Sequence, residues 1–351
     1  MSESARDAEI LAMFRKQADA CAAMGSAIYA DLLARCGDDF AAGGGVARAL
    51  ADWVGHPLLD NVALRLLGAA HFLALRGDAP ALGAFLPSCG GAYDAARAWP
   101  ALRDVIAQHE ARIRVHLTEQ IQTNEVRRCC ALIGGFVEIA RNFPFPMRLL
   151  EIGASAGLNQ CFDQFRYELG AQRFGHADAP LTLDCEWRGK PLETSGASLR
   201  IASRKGCDLF PIDLRDRDRR LRLESFFWPD QVERLARLRA AIECALRSGV
   251  RLEQASAGDW IAREVATLPA RTTSVLFHSV MWMYVPEAER KRIYLLMEEA
   301  GARATAESPL AWLRMEGPNF EYCEIRLRTW PRGEDRLLGK CHYHGAWVEW
   351  T

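Results

Sequence analysis

Glu151, Gly153, Ser155, Gly157 and Asn159 lie in one ten-residue run, Leu150-Glu-Ile-Gly-Ala-Ser-Ala-Gly-Leu-Asn159, between an apolar stretch and an amphipathic one. The order reads as strand, tight turn, helix. Glycine is needed where φ is positive or where a ligand must approach backbone with no Cβ in the way. A helix N-terminus after such a turn offers unpaired N–H groups and a partial positive charge to a carboxylate or phosphate. The same turn also serves simply to join a strand to a helix. The run spells G-x-S-x-G as well, the elbow that exposes a nucleophilic serine in hydrolases. In that reading Ser155 attacks, and Glu316 with His342 or His344 completes the triad in an allowed chain order.

Other candidates lie downstream. An acidic residue about 20 residues past a glycine turn accepts ribose hydroxyls in nucleotide-binding units. Asp208, in Gly206-Cys-Asp-Leu, suits that role if residues 181–192 are an insertion, and Asp184 and Asp213 are its rivals. Asp259 with Trp260 follows a third apolar run, where an acceptor for an adenine amino group beside an aromatic ring is expected. Asp259 alternatively caps the next helix. His278 breaks the apolar run Val275-Leu-Phe-His-Ser279, where a carboxyl strand end meets ligand, and histidine serves as a general base near neutral pH. Glu316 ends the following strand, and Trp282 and Tyr284 pack nearby or line the pocket.

His342 and His344, two apart on an expected strand, face one side. Zinc needs three or four ligands and no third lies near in sequence, so no metal is assigned. These histidines suit catalysis at His344 and substrate contact at His342. Asn124, Glu125 and Arg128, ahead of the first strand, are candidates for contact with a bound cofactor or with substrate. The arginines of 215–222 alternate with aspartates and read as a self-paired surface.

The elements that must hold these residues emerge from patterning. Residues 8–142 carry apolar positions at helical spacing and read as five or six helices with no strand. After Pro146 short apolar runs alternate with amphipathic helices, the grammar of a parallel α/β sheet. Strands are expected near 148–152, 199–202, 251–254, 274–278 and 310–315, and helices near 158–167, 230–247, 260–268 and 287–300. Residues 322–330 and 336–350 read as a closing antiparallel hairpin. Two domains result: a helical cap over 1–146 and an α/β sheet domain over 147–351, with a small inserted hairpin near 177–196. At 351 residues the chain exceeds what one core usually organises.

Composition removes several function classes. Lys+Arg 44 against Asp+Glu 45 gives a net charge of -1, so no global field gathers phosphate backbones or anionic lipid. No nucleic-acid partner is expected. The apolar stretch 62–75 is interrupted by Arg65 and His71 and falls short of the ~20 residues that cross a bilayer. The eleven cysteines form no CxxC pair and read as reduced core thiols. The polar N-terminus lacks secretory features, and a cytoplasmic location is expected.

The runs Gln122-Thr-Asn-Glu-Val-Arg-Arg128, Leu150–Asn159, Gly206-Cys-Asp-Leu-Phe-Pro-Ile-Asp213, Phe227-Trp-Pro-Asp-Gln231, Phe277-His-Ser-Val280 and His342-Tyr-His-Gly345 together resemble a bacterial family called domain of unknown function 2332. The resemblance spans nearly the whole chain and implies a methyltransferase-like fold. E-x-G-x-S-x-G itself resembles the first motif of class I methyltransferases, with Ser155 in place of the middle glycine. A Rossmann-like sheet, mostly parallel with an antiparallel C-terminal hairpin, is implied by that resemblance. So is S-adenosylmethionine as cofactor, held by Glu151, Gly153, Ser155, Gly157, Asn159, Asp208, Asp259, Trp260 and His278. Methyl transfer to a small molecule is the leading expectation, with His278, Glu316 and His344 as catalytic candidates. Asn124, Glu125, Arg128, Tyr284 and His342 then contact substrate beneath a closing helical domain. A protein that binds the nucleotide without turnover is the alternative from another class.

Overall fold

Side-chain caps set the helices of the first stretch. Ser26 accepts the Tyr29 N–H to open the helix Ala27–Ala41, Asp94 accepts the Ala96 and Arg97 N–H groups to open Ala95–Gln108, and Gly77 at φ +92 closes Val62–Arg76. The structure is a computed structural model and describes residues 3–319 and 321–351. It divides into two compact units, Met1–Thr123 with Leu214–Ala236, and Asn124–Asp213 with Arg237–Thr351. The dividing point therefore falls at 123/124, ahead of the expected 146, and the first unit takes back a later segment.

The first unit contains α1 (Glu3–Ala23), α2 (Ala27–Ala41), α3 (Gly45–Leu50), α4 (Val62–Arg76), α5 (Pro80–Gly83), α6 (Ala95–Gln108) and α7 (Glu110–Leu117), and later α9 (Arg217–Ser225). Pro100 lies inside α6. Phe14, Leu33, Leu66, Leu73, Leu102 and Ile113 fill its core. At ~25 cal/mol per Å2 of apolar surface, each such side chain contributes about 1.5–3 kcal/mol when fully buried.

The second unit opens with α8 (Cys129–Asn142) and β1 (Met147–Ile152), followed by β2 (Arg166–Leu169), β3 (Gln172–Phe174), β4 (Thr182–Gly189) and β5 (Ile201–Asp208). After α10 (Val232–Arg247), whose first turn belongs to the other unit, come β6 (Arg251–Gln254), α11 (Ala257–Glu264), β7 (Thr273–Ser279), α12 (Glu287–Arg303) and β8 (Leu310–Glu316). The chain ends with β9 (Cys323–Trp330), β10 (Glu334–Cys341) and β11 (Trp347–Trp350). Every named strand among the described residues belongs to this unit.

These strands form one sheet in the order β3-β2-β4-β11-β10-β9-β8-β7-β1-β5-β6. From β6 to β8 all neighbours are parallel, whereas β8, β9, β10 and β11 pair antiparallel. The strand order reverses at β1, with β5 on one side and β7 on the other. In open α/β sheets, ligands bind outside the carboxyl strand ends at that reversal. β10 runs parallel to β8 because two antiparallel pairings separate them, so its end lies at the same sheet edge.

Side chains alternate across the sheet. Leu150, Ile152, Leu276 and Trp312 face a core shared with Trp260 of α11 and Ile293 and Met297 of α12. On the other face Phe136 of α8 stacks on Phe162 at 3.6 Å and meets Phe277 edge-on at 5.2 Å. Gly134 and Gly135 let α8 lie against Trp350 and Leu313, where a Cβ would collide.

Several sequence expectations change here. The strand expected at 199–202 extends from Ile201 to Asp208. The insertion is larger than a hairpin near 177–196: β2, β3 and β4 add to the sheet's far edge through β11. The expected last strand, 336–350, is two strands broken by a turn. No helix among the described residues is long and apolar enough to cross a membrane. All eleven cysteines are free thiols.

Candidate functional site at the carboxyl edge of the sheet

The turn after β1 is tight because the protein itself crowds it. Gly153, Ser155 and Gly157 all have positive φ, +62, +53 and +72. A Cβ on Gly157 would lie 2.7 Å from Val250 Cγ1, and one on Gly153 would lie 2.8 Å from Met281 Cβ. Internal packing thus suffices to require these glycines. Ser155 carries a side chain at a φ that favours glycine, a strain of order 1–3 kcal/mol, and its backbone is pinned at both ends. Its N–H donates to Asp208 Oδ2 at 2.8 Å, and its carbonyl accepts the Ile212 N–H at 3.0 Å. Asp208 Oδ1 also accepts the Phe210 N–H at 2.9 Å.

The segment after the turn is a seven-residue 3-10 helix, Leu158–Gln164, leading directly into β2, not the α-helix expected over 158–167. Its first N–H, on Leu158, donates to the buried Asn124 Oδ1 at 2.9 Å. The expected anion cradle at a helix N-terminus is therefore filled from within: a side chain from residue 124 supplies the oxygen. Asn159 is buried too and accepts from the Cys129 thiol at 3.3 Å.

Glu151, on β1, is 2 % exposed, and its Oε2 has no hydrogen-bond partner among the described residues. Burial holds this carboxyl well above the usual glutamate range; Asp208 adds to the rise, while Gln160 and the Arg128 charge oppose it.

The neighbouring corner is built from β7 and β8. His278 is fully buried, and its Nδ1 lies 2.6 Å from Glu316 Oε1. A carboxylate oxygen accepts, so this contact places a proton on Nδ1; the neutral tautomer with that proton has its lone pair on Nε2. His278 Nε2 is buried with no partner among the described residues. The ring stacks on Trp282, 4.9 Å between centroids at 17°. Glu316 also accepts the Met281 and Trp282 N–H groups at 3.1–3.2 Å, and Val280 between the strand and this turn has φ +52.

Two distant motifs meet at the same edge. Arg128 donates through Nε to the Tyr343 carbonyl at 3.1 Å and through Nη1 to the Ser279 carbonyl at 3.2 Å. Gly345, at φ +72, lies against the Arg127 carbonyl, where a Cβ would clash. Glu125 is buried and accepts the Arg127 N–H at 3.2 Å. His342 and His344 occupy a turn between β10 and β11, not a strand: the Gly345 N–H donates to the His342 carbonyl at 2.9 Å. Their rings lie 5.5 Å apart, and His342 Nδ1 accepts the His344 N–H at 3.0 Å. Burial, then the Arg127 charge, lowers the His342 pKa below the ordinary histidine value. No group of three metal-capable side chains occurs among the described residues.

Some sequence candidates lie elsewhere. Trp260 is a core residue of the α11–α12 face, because its position points inward from the first turn of α11. Asp259 is exposed and paired with Arg292 at 2.7 Å, which holds its pKa low; the helix cap is Ser256. Tyr284 is largely exposed. Glu316 grips His278 rather than a turn histidine, and Ser155 Oγ is buried without a hydrogen-bond partner among the described residues, so the Ser155–His–Glu316 triad is not assembled there. Sequence patterning reveals neither the Glu316 grip on the 281–282 backbone nor the Asn124 cap; Glu316 is marked only as a charge that ends an apolar run, and Asn124 stands in the polar run Gln122–Glu125.

Over residues 11–350 the chain matches the model of a family described as an uncharacterized protein conserved in bacteria, domain of unknown function 2332. The chain belongs to that family. No curated protein and no solved structure matches it.

Proposed function

We propose that the sheet unit is a Rossmann-like, S-adenosylmethionine-dependent methyltransferase acting on a small molecule. The observation that carries this reading is Asp208: it ends the strand beside β1, at the reversal of strand order, and reaches back to the glycine turn. The second strand of a nucleotide-binding unit supplies its ribose-binding acid from that position. A carboxylate only accepts hydrogen bonds and has about four acceptor sites, and ribose hydroxyls suit such oxygens. The fit is only to this side of the cofactor, since the Ser155 and Leu158 N–H groups are already bonded. Its carboxylate must then be met by other donors at the edge, and Arg128 is the candidate.

When bound, the cofactor supplies a methyl group on a sulfonium. The chain's own contribution is orientation, worth ~7–11 kcal/mol when reacting groups are held in line. His278 Nε2 takes the acceptor's proton, a step worth roughly 10²–10⁴-fold. Glu316 is a positioning residue that fixes the imidazole tautomer and the 281–282 backbone. A binding protein without turnover is the second reading, favoured by the complete burial of His278 in this conformation.

S-adenosylhomocysteine is expected to bind with micromolar affinity and to stabilise the protein by about 2.7 kcal/mol at one hundred times its Kd. Asp208→Ala is expected to weaken binding by about 1–3 kcal/mol. Calorimetry with no heat and no thermal shift at millimolar ligand overturns the assignment; binding with no methyl transfer to any acceptor favours the second reading.

A further inference from the structure

The helical unit holds a serine and a histidine in direct contact. His71 lies on the inner face of α4 and is 1 % exposed. Its Nδ1 is 3.0 Å from the Ser225 carbonyl oxygen and its Nε2 is 2.7 Å from Ser88 Oγ. A carbonyl can only accept, so Nδ1 carries the ring proton, and Nε2 receives the Ser88 hydroxyl hydrogen. Nucleophile, base and orienting acceptor are thus in the relation that activates a serine. Ser88 itself is partly exposed, in the turn Pro87–Cys89, and its own N–H is tied to the Pro229 carbonyl at 3.0 Å.

We propose that Ser88 is an activated nucleophile, primed by His71, that accepts an acyl group from small activated esters. Ser88 Oγ bonds to the ester carbonyl carbon as its proton passes to His71 Nε2. The ester C–O bond then breaks, and the leaving alcohol takes that proton, giving acyl-Ser88 and a neutral His71. The surrounding backbone limits the rate of this chemistry. The N–H groups of Ser88, Cys89, Gly90 and Gly91 donate to Pro229, Leu86, Pro87 and Leu86 carbonyls. No pair of them is left to stabilise an oxyanion, the largest single contribution in acyl transfer. Acylation is therefore slow, and the acyl-serine persists: one modification per chain rather than rapid turnover.

The test is incubation of the intact chain with a fluorophosphonate probe, followed by intact-mass and peptide mapping. One adduct per chain on Ser88 is expected, lost in Ser88→Ala and kept in Ser155→Ala. His71→Gln should slow labelling by at least about 10²-fold with helical circular dichroism unchanged. Should that variant fail to fold, p-nitrophenyl acetate pre-treatment of the wild type supplies the second measurement, because acetylation of Ser88 must block the probe. No adduct on folded wild type, an adduct on Ser155 or any other residue, or labelling undiminished by pre-treatment overturns the proposal. None of these outcomes depends on S-adenosylhomocysteine binding.

Discussion

Two corners of the sheet edge use one device with different results. Beside β5, Ser155 at φ +53 donates its N–H to Asp208; beside β8, Val280 at φ +52 leads into two N–H groups that donate to Glu316. In each, a carboxylate from the neighbouring strand holds a turn whose backbone is strained. The difference lies in what else the carboxylate grips. Asp208 takes the Ser155 and Phe210 N–H groups and is half-buried, whereas Glu316 takes two N–H groups and a fully buried imidazole. Under the proposed function the first corner meets a ligand. The second is built to keep one histidine in one orientation.

The largest effect should come from cutting the second corner. Glu316→Ala removes the partner of a buried imidazole and orphans two N–H groups, each unsatisfied buried group costing about 1–3 kcal/mol. Urea denaturation should show it; a loss below about 1 kcal/mol, the usual ceiling for an exposed ion pair, would make Glu316 no different from a surface carboxylate and break the comparison.

Val280→Gly should cost far less than valine-to-glycine changes elsewhere in the sheet. A β-branched residue in the left-handed region is strained by roughly 1–2 kcal/mol, which glycine relieves and which offsets the lost side chain. A melting temperature equal to or above wild type is the expected outcome, and a drop of many degrees would mean that the φ is not strained.

The smallest effect concerns Glu151 under the first corner. Its folded pKa is raised, so the native state holds a proton that the unfolded chain has lost. Stability therefore falls as pH climbs from the ordinary glutamate range, about 4, toward the raised folded value. Glu151→Gln should flatten that slope and raise the melting temperature slightly at neutral pH. An unchanged slope would show that the carboxyl has water or a cation beside it.

Particular residues show where sequence reading stopped. The run Leu149–Gly157 announced strand and turn, since apolar continuity and positive-φ glycines are local properties. Asp208 is readable as an acid near a second strand, but which aspartate stands beside the turn is decided by pairing: β5 lies next to β1, while Asp184 lies on β4 at the far side of the sheet. His278 and Glu316 could each be picked as strand-end residues. Their pairing could not, because 38 residues separate them and the contact exists only once β7 and β8 lie side by side. Neither the 3-10 helix that stands after Gly157 in place of the expected α-helix nor the Asn124 side chain that accepts its first N–H is revealed by a local pattern.

Local chemistry in the sequence determined the helical and sheet-forming stretches, the turn after β1 and the polar residues set in apolar runs. Such features depend on propensity and on periods of 3.6 and 2 residues. Tertiary structure decided which carboxylate meets which turn, that His342 and His344 share a loop against Arg127 and Arg128, and that His71 touches Ser88. Those contacts join residues far apart in the chain, and only the closing of loops and the pairing of strands brings their donors and acceptors within hydrogen-bond distance.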